Sequence, residues 1–278
     1  MTKEELKALL LDISRSTPGN FIPDAGCPIY DTPLIGFAAA EDSLFAEFKK
    51  PEIIGPWHMS PAQWLEGAKT VVSLFFPFSE GVRSALRKCS PDMDIPFQWL
   101  YARVEGQSLL DEIMSGVSDK LREQKIAAVV PAIDPRFKAI QGGKGGIQGY
   151  AEINESTFGS TWSERHAAYV CGLGTFGLSK GIITEKGMAG RFASIIIDLE
   201  LEADIRPYSG VYDYCTKCGA CIRRCPVGAI SLEKGKDHSV CGPWIDRSKQ
   251  IYAPRYGCGL CQTRVPCESG IPPKPKKD

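Results

Sequence analysis

Between residues 215 and 226 the chain reads Cys215-Thr-Lys-Cys218-Gly-Ala-Cys221-Ile-Arg-Arg-Cys225-Pro226, a C-x2-C-x2-C-x3-C-P run. This is the spacing by which one chain wraps iron–sulfur clusters. Three thiolates two residues apart on a tight turn reach three corners of a cubane. The fourth then points away and ligates a different cluster. Gly219 and Ala220 let the backbone approach closely, and Pro226 stops a helix from continuing across that ligand. A second set is therefore required, and Cys241, Cys258-Gly-Leu-Cys261 and Cys267 supply it. In the two-cluster pattern Cys215, Cys218, Cys221 and Cys267 hold one [4Fe–4S] cluster, and Cys225, Cys241, Cys258 and Cys261 hold the other. Five residues separate Cys261 from Cys267 where three are usual. Two zinc ribbons or free thiols are the competing readings. Zinc sites pair two C-x2-C knuckles, whereas a contiguous four-cysteine run with a trailing proline favours iron–sulfur.

These eight cysteines belong to a total of 11, in a chain of 278 residues with 33 basic and 33 acidic side chains. An odd total fits a disulfide framework poorly. The N-terminus, Met1-Thr-Lys-Glu-Glu-Leu-Lys, has mixed charge and no apolar run of secretory length. No stretch approaches the roughly 20 apolar residues of a membrane span. The expectation is a cytoplasmic protein without membrane contact, where clustered cysteines serve metals or catalysis. Cys215 to Asp278 carries 12 Lys/Arg against 5 Asp/Glu, a net of +7 balanced by −7 in residues 1–214. A nucleic-acid patch is one reading. The favoured one is that cations such as Lys217, Arg223 and Arg224 offset clusters that each carry about −2 with their thiolates.

Leu6, Leu9, Leu10 and Ile13 recur at helical spacing over Lys3 to Ser14. Ser60-Pro61 reads as a helix start, Thr70 to Phe76 as a buried strand, and Phe97 to Gln124 as a long helix. Lys125 to Val130 and Phe192 to Leu199 read as strands, Thr161 to Cys171 as a helix, and Gln141 to Gly149 as a flexible loop. Five tryptophans read as core. The pattern predicts an α/β or α+β domain over residues 1–205, a small cysteine-built domain over 206–270 and a disordered tail over 271–278.

Gly172-Leu-Gly174-Thr-Phe-Gly177 matches G-x-G-x-x-G, but a dinucleotide fingerprint follows a strand and opens a helix. Here it follows a helix, so a C-terminal capping glycine at Gly172 is expected. Glu164-Arg165, Gly172-Leu-Gly174, Phe176-Gly177, the Cys215–Pro226 run and Tyr256-Gly-Cys258-Gly-Leu-Cys261-Gln262 together resemble the epoxyqueuosine reductases, cobalamin-dependent iron–sulfur proteins related to reductive dehalogenases. The resemblance runs from about Thr70 onward. It implies an α+β fold: a nitroreductase-like, corrinoid-binding domain followed by a small ferredoxin-like domain with two [4Fe–4S] clusters. It further implies that Glu164, Arg165, Gly172, Gly174 and Gly177 bind cobalamin, the glycine turn lying against the macrocycle. In that family the reduced corrinoid acts on an epoxide in tRNA. Three departures stand out: Thr157 to Ser160 offers no carboxylate where the family's acid lies, the final C-x3-C-P is missing, and so are the helical repeats of longer members.

The resemblance implies an oxidoreductase, fed by an electron donor such as ferredoxin or flavodoxin, that reduces a tRNA or small-molecule substrate through the corrinoid. A non-catalytic electron-transfer protein serving a partner enzyme is the alternative, and an RNA-binding iron–sulfur module is a third reading. No catalytic residue is assigned. His166 is a candidate proton donor, Asp134 a candidate replacement acid that reads more simply as a turn start, and Cys27, Cys89 and Cys171 have no partner pattern.

Overall fold

A computed structural model describes residues 1–274 except 92, 93, 148, 152 and 156. Thr2 opens α1 (Lys3–Ser16) by accepting the Glu5 N–H at 3.2 Å, and the Glu5 carboxylate accepts the Thr2 N–H at 2.7 Å. There follow β1 (Leu34–Ala39), the single turns α2 (Leu44–Glu47) and α3 (Pro61–Trp64), β2 (Thr70–Pro77), α4 (Glu80–Arg87), α5 (Phe97–Glu123) and β3 (Ala128–Val129). Then come β4 (Ala139–Gln141), β5 (Lys144–Gly145), β6 (Phe158–Ser160), α6 (Glu164–Val170), β7 (Gly174–Phe176), β8 (Ile182–Thr184) and β9 (Gly190–Ile197). The cysteine-rich end adds α7 (Ala220–Arg223), β10 (Ile230–Ser231), β11 (Gly235–Lys236) and α8 (His238–Tyr252).

The main sheet runs β1-β2-β9-β3, and every pair is antiparallel. β2 is buried along its whole length, which is why its sequence is an unbroken apolar run rather than an alternating one. Val72, Leu74, Phe76, Ile195 and Ile197 face a core completed by α1 and α5, while Val71 and Ile196 face one built on Trp162, Ala167 and Val170 of the α6 side. Each such buried side chain contributes roughly 1.5–3 kcal/mol. Helices thus cover both faces of an antiparallel sheet, a mixed α+β architecture. Among the described residues no helix is long and apolar enough to cross a membrane.

The structure departs from the sequence reading in three places. The strand expected over Lys125–Val130 shrinks to the two residues of β3. The expected flexible loop Gln141–Gly149 contains a two-residue hairpin, with Gly142 at φ +60° and Gly143 at φ +72° joining β4 to β5; that turn needs positive φ at both positions. Gln148 lies outside the described residues, as do residues 275–278 of the expected tail. The small cysteine-built segment expected over 206–270 contains a helix that no sequence signal announced, α8, 15 residues long with Pro243 inside it. Ser248 is its one fully buried residue, so no apolar stripe announced it.

The cysteine-rich end is tied to the sheet through Arg224, which is 7% exposed. Its guanidinium donates to the carbonyls of Leu86 and Cys89 at the end of α4, and to those of Thr263 and Leu260 at 3.2 and 3.4 Å. A cation at a helix C-terminus also meets the negative end of its dipole. Glu268, equally buried, accepts from Arg87 at 2.6 Å and from the Arg264 N–H at 2.6 Å. Hydrogen bonds from a charged donor are worth about 1.5–3 kcal/mol each, and the carbonyls left behind would be unsatisfied. Arg224→Ala is therefore expected to lower unfolding stability by about 3 kcal/mol or more, and Arg224→Lys by less. Anaerobic urea titration followed by tryptophan fluorescence measures this, and an unchanged midpoint would remove Arg224 from this role.

Candidate functional site

Two turns of the same build present the cysteines. In Cys218-Gly219-Ala220-Cys221 the glycine takes φ +72° and opens α7; in Cys258-Gly259-Leu260-Cys261 it takes φ +77° and opens a 3-10 turn. Gly259 also rests on the Trp99 indole, which a Cβ would meet at 2.0 Å. Cys215, Cys218, Cys221 and Cys267 line one cavity with Gly177, Ile183 and Val265. Burial pushes the Cys267 thiol up to about 12, with Cys215, Cys221 and Cys218 adding to the effect. Burial likewise raises Cys258 to about 11, and the nearby thiols there are Cys261 and Cys241; Cys261 in turn feels Cys241 and Cys225. The electrostatic neighbourhoods therefore fall into the two expected groups, with Cys221 also within reach of Cys261. Among the described residues no three His, Cys, Asp or Glu side chains gather around a point where a single ion would sit. All-thiol donor sets of four are the ligands of a [4Fe–4S] cluster, and the protonated thiols must release protons to bind one.

Beside the second cysteine group the surroundings of Arg165 have the character of a cleft. Arg165 at the start of α6 is exposed to solvent, yet burial is the first cause that lowers its guanidinium below the usual range. A side chain crowded by protein but still wetted lines a deep recess. Arg191 and Cys261 lie within its electrostatic reach. Arg103 of α5 sits against the Tyr256 ring, 4.9 Å from its centroid, and occupies the space a Cβ at Gly257 would need. Burial first, then the charge of Arg191, brings Arg103 down to about 10. Arg191 donates to the Arg103 carbonyl. His238 stacks on Phe158 at 5.3 Å, within reach of Lys236, Lys180 and Arg165.

The glycine turn is built as a helix cap followed by a hairpin. Gly172, at φ +81°, ends α6 in a Schellman arrangement: the Leu173 N–H donates to Ala168 and the Gly172 N–H to Tyr169. Gly174 is glycine because a Cβ there would lie 2.0 Å from the Ile183 carbonyl. Gly177 lines the thiol cavity. Of the five residues implied for a corrinoid, Arg165 is exposed to solvent, while Glu164 has both carboxylate oxygens buried. The turn itself is a helix cap and a hairpin.

The acid candidates also separate. Asp134 accepts from the Arg136 N–H and side chain, at 2.9 and 2.8 Å, which holds its carboxyl below the usual range. It is an ion-paired turn residue. Burial keeps His166 neutral at about 3, its Nδ1 2.8 Å from Ser163 Oγ and its ring between Phe48 and Phe176, so it is no cationic proton donor at neutral pH. His58 and His238 are neutral for the same reason, each at about 4. Cys171 is fully buried against the Val71 carbonyl, Cys89 is buried near α4, and Cys27 packs on Gly81. Sequence reasoning missed Arg103, Arg191 and the state of Glu164, whose carboxylate oxygens are both buried without a hydrogen-bond partner.

Burial first, and then the Asp111 charge, holds the Glu164 carboxyl up at about 7 against an ordinary 4.5. The native state thus keeps a proton that the unfolded chain releases, so this group costs stability as pH rises from 4.5 through 7. Glu164→Gln removes that dependence. The variant should gain on the parent by up to about 3 kcal/mol between acid and mildly alkaline solution. Urea titrations of both proteins at each pH check this, and a gain in the opposite direction would refute it.

A family model described as a 4Fe-4S binding domain matches residues 210–231. The epoxyqueuosine reductase of Leadbetterella byssophila is 32% identical over 109 residues, 35% of this chain and 34% of that protein, so the match spans about a third of that relative. A crystal structure of an epoxyqueuosine reductase with an epoxyqueuosine-modified tRNA stem loop aligns with 97% of this chain and 67% of that one, at 18% identity and a TM-score of 0.54. A reductive dehalogenase, described as performing B12-dependent dehalogenation, aligns with 97% of this chain and 36% of its own, at 17% identity and a TM-score of 0.50. The chain is an iron–sulfur protein related to the epoxyqueuosine reductases and reductive dehalogenases, with a mixed α+β fold resembling theirs and a 4Fe-4S ferredoxin domain near residues 210–231.

Proposed function

We propose that this protein is a reductase in which two [4Fe–4S] clusters carry electrons to a corrinoid seated in the cleft, and that the corrinoid reduces a small or RNA-borne substrate. The division follows the chain: residues 1–205 form the nitroreductase-like corrinoid-binding domain and 206–270 the two-cluster domain. Cys215, Cys218, Cys221 and Cys267 hold one cluster, and Cys225, Cys241, Cys258 and Cys261 the other, with electrons arriving from a ferredoxin or flavodoxin. The observation that carries this reading is the adjacency of the second cysteine group to the cleft, through Cys261 and Arg165. Bound there, the clusters supply single electrons and the corrinoid a reducible metal centre. The protein's own residues do the rest. Arg165 places a fixed positive charge between thiol group and cleft, which favours an electron-rich neighbour. Arg103, wedged between Tyr256 and Gly257, holds a second charge in the wall. Glu164 retains a proton near neutral pH at the start of α6.

One observation favours the alternative, an electron-transfer protein without catalysis of its own. In the stretch where the family's acid lies, Phe158 stacks on His238, and no carboxylate is offered between Thr157 and Ser160. Anaerobically purified, cluster-replete protein should bind hydroxocobalamin and shift its absorption spectrum on reduction. Failure to bind any corrinoid while the clusters are intact would leave the electron-transfer reading. Cys267→Ala should lose about half of an iron content of roughly eight per chain. Retention of all the iron with an unchanged EPR spectrum would strike Cys267 from the ligands.

A further inference from the structure

Cys218 is the one exposed cysteine of the chain, whereas Cys258 of the second group is buried. The cavity lined by Cys215, Cys218, Cys221 and Cys267 therefore comes to the surface at Cys218. Arg223, at the end of α7, donates through Nη1 to the Cys218 carbonyl at 3.3 Å and stays exposed. Lys217, also exposed, stands 5.9 Å from the centroid of the Tyr212 ring. Neither cation forms an ion pair with an Asp or Glu among the described residues. Apolar surface adjoins them. Val211 and Tyr212 are 47% and 42% exposed, and Ile271, next to Pro272 of the cavity wall, is 43% exposed. The acidic groups of this face are otherwise engaged or set back. Asp213 accepts the Ser209 and Gly210 N–H groups at 3.1 and 2.9 Å and feels the charge of Lys274. Glu268 is buried against Arg87, and Glu185 lies toward Tyr214.

We infer that this face, centred on Cys218, is the docking surface for a small acidic one-electron carrier protein. The inference rests on reading the eight cysteines as ligands of two clusters and needs no corrinoid. Electrons pass between proteins only across short gaps, so an entry cluster must bring a ligand to the surface, and Cys218 does so. A cluster with its thiolates carries about −2 and would by itself repel an acidic partner. Lys217 and Arg223 offset that charge where a partner would touch it, and unpaired cations steer a partner of opposite sign. The exposed apolar side chains beside them supply surface that a partner can seal from water. The onward route is built into the same fold. α7, which carries Cys221, is joined to the Cys258–Cys261 turn by the Arg224 hydrogen bonds to the Leu260 and Thr263 carbonyls. One electron leaves the reduced carrier and reduces the first cluster by one, with no bond made or broken.

Cluster-replete protein is titrated anaerobically by calorimetry with an acidic ferredoxin, both proteins oxidised, and is then mixed with the reduced ferredoxin in a stopped-flow instrument. Saturable binding that weakens with added salt is expected. Lys217→Asn, which suits the φ of +53° at that position, and Arg223→Gln should each lower both the affinity and the bimolecular reduction rate about fivefold or more. Arg223→Lys keeps the charge and should retain most of the binding. Lys274→Glu lies outside both cysteine turns and should also weaken it, which covers the case in which a change inside the run costs iron. Arg122→Gln, which alters an exposed α5 residue paired with Asp119, should leave it unchanged. The methyl viologen radical, a small cation that needs no docking surface, should reduce parent and variants without loss of rate. No saturable binding, or equal binding by the parent and the charge variants, overturns the proposal. So does an equal slowing with methyl viologen, which would assign the cations to the cluster itself. A loss in Lys236→Gln, beside Cys261, with none in Lys217→Asn would place docking at the second group and overturn it too. None of these readouts involves a corrinoid, so the hydroxocobalamin test can fail without them and they without it.

Discussion

A single guanidinium fixes where the cysteine-rich end sits relative to the sheet. Arg224 lies inside the cysteine run, between Cys221 and Cys225, and donates to carbonyls at the end of α4 and to others beside Cys261. Each of those carbonyls is a group that burial would otherwise penalise. One side chain therefore joins the first cysteine run, the second cysteine turn and the helical layer over the sheet. Arg224 was read from sequence as a counter-charge for a cluster, yet its hydrogen bonds are spent on this docking. Trp99 and Arg103 complete the attachment from α5, one turn apart on the same helix face. Trp99 lies under Gly259 and Arg103 under Gly257. Glycine recurs in the second cysteine turn because a helix lies directly beneath it.

The charge distribution takes on a spatial meaning in the same way. The sequence is neutral as a whole, with its excess positive charge in the cysteine-rich end. In the structure Arg165 and Lys236 lie within electrostatic reach of Cys261, Lys236 and Lys180 within reach of His238, and Arg103 and Arg191 add to that field from α5 and β9. Low-dielectric walls focus such a field. Burial holds the Glu164 carboxyl up at about 7 and keeps the three histidines neutral, His58 and His166 against Phe48 and His238 against Phe158.

Local signals made much of the fold legible. The unbroken apolar run of β2, the helical period of α1 and α5, and the cap at Gly172 all follow from residues adjacent in sequence. α8 was hidden because it packs on one side through Trp244, Ile245 and Tyr252, which are only partly buried, and because Cys241 and Pro243 read as turn residues. The cleft was hidden for a different reason. Arg103 stands on a helix between Ala102 and Val104, and nothing in the spacing of α5 marks it out. Arg191 is brought opposite Phe76 only by the β2–β9 register. No spacing within the sequence joins two such residues; the sheet does.

The unusual spacing before Cys267 shows how a departure from a motif can be absorbed by structure. The segment Cys261-Gln-Thr-Arg-Val-Pro-Cys267 has two more residues than the usual three between its cysteines. They do not form a slack loop. Thr263 and Val265 are buried, and Arg264 takes a left-handed φ of +55°, a conformation that a non-glycine residue adopts at some cost. That conformation brings the Arg264 N–H onto the Glu268 carboxylate, which Arg87 of α4 holds from the other side. The Met188 N–H meanwhile donates to the Cys267 carbonyl at 3.0 Å, tying the segment to the β8–β9 turn. The extra residues thus make a fixed corner whose geometry is set by Glu268, and Cys267 is returned to the cavity that Cys215, Cys218 and Cys221 line. Spacing is a proxy for where a thiol can reach. Here the reach is preserved by an ion pair to Arg87 from a buried carboxylate at the residue immediately after the cysteine.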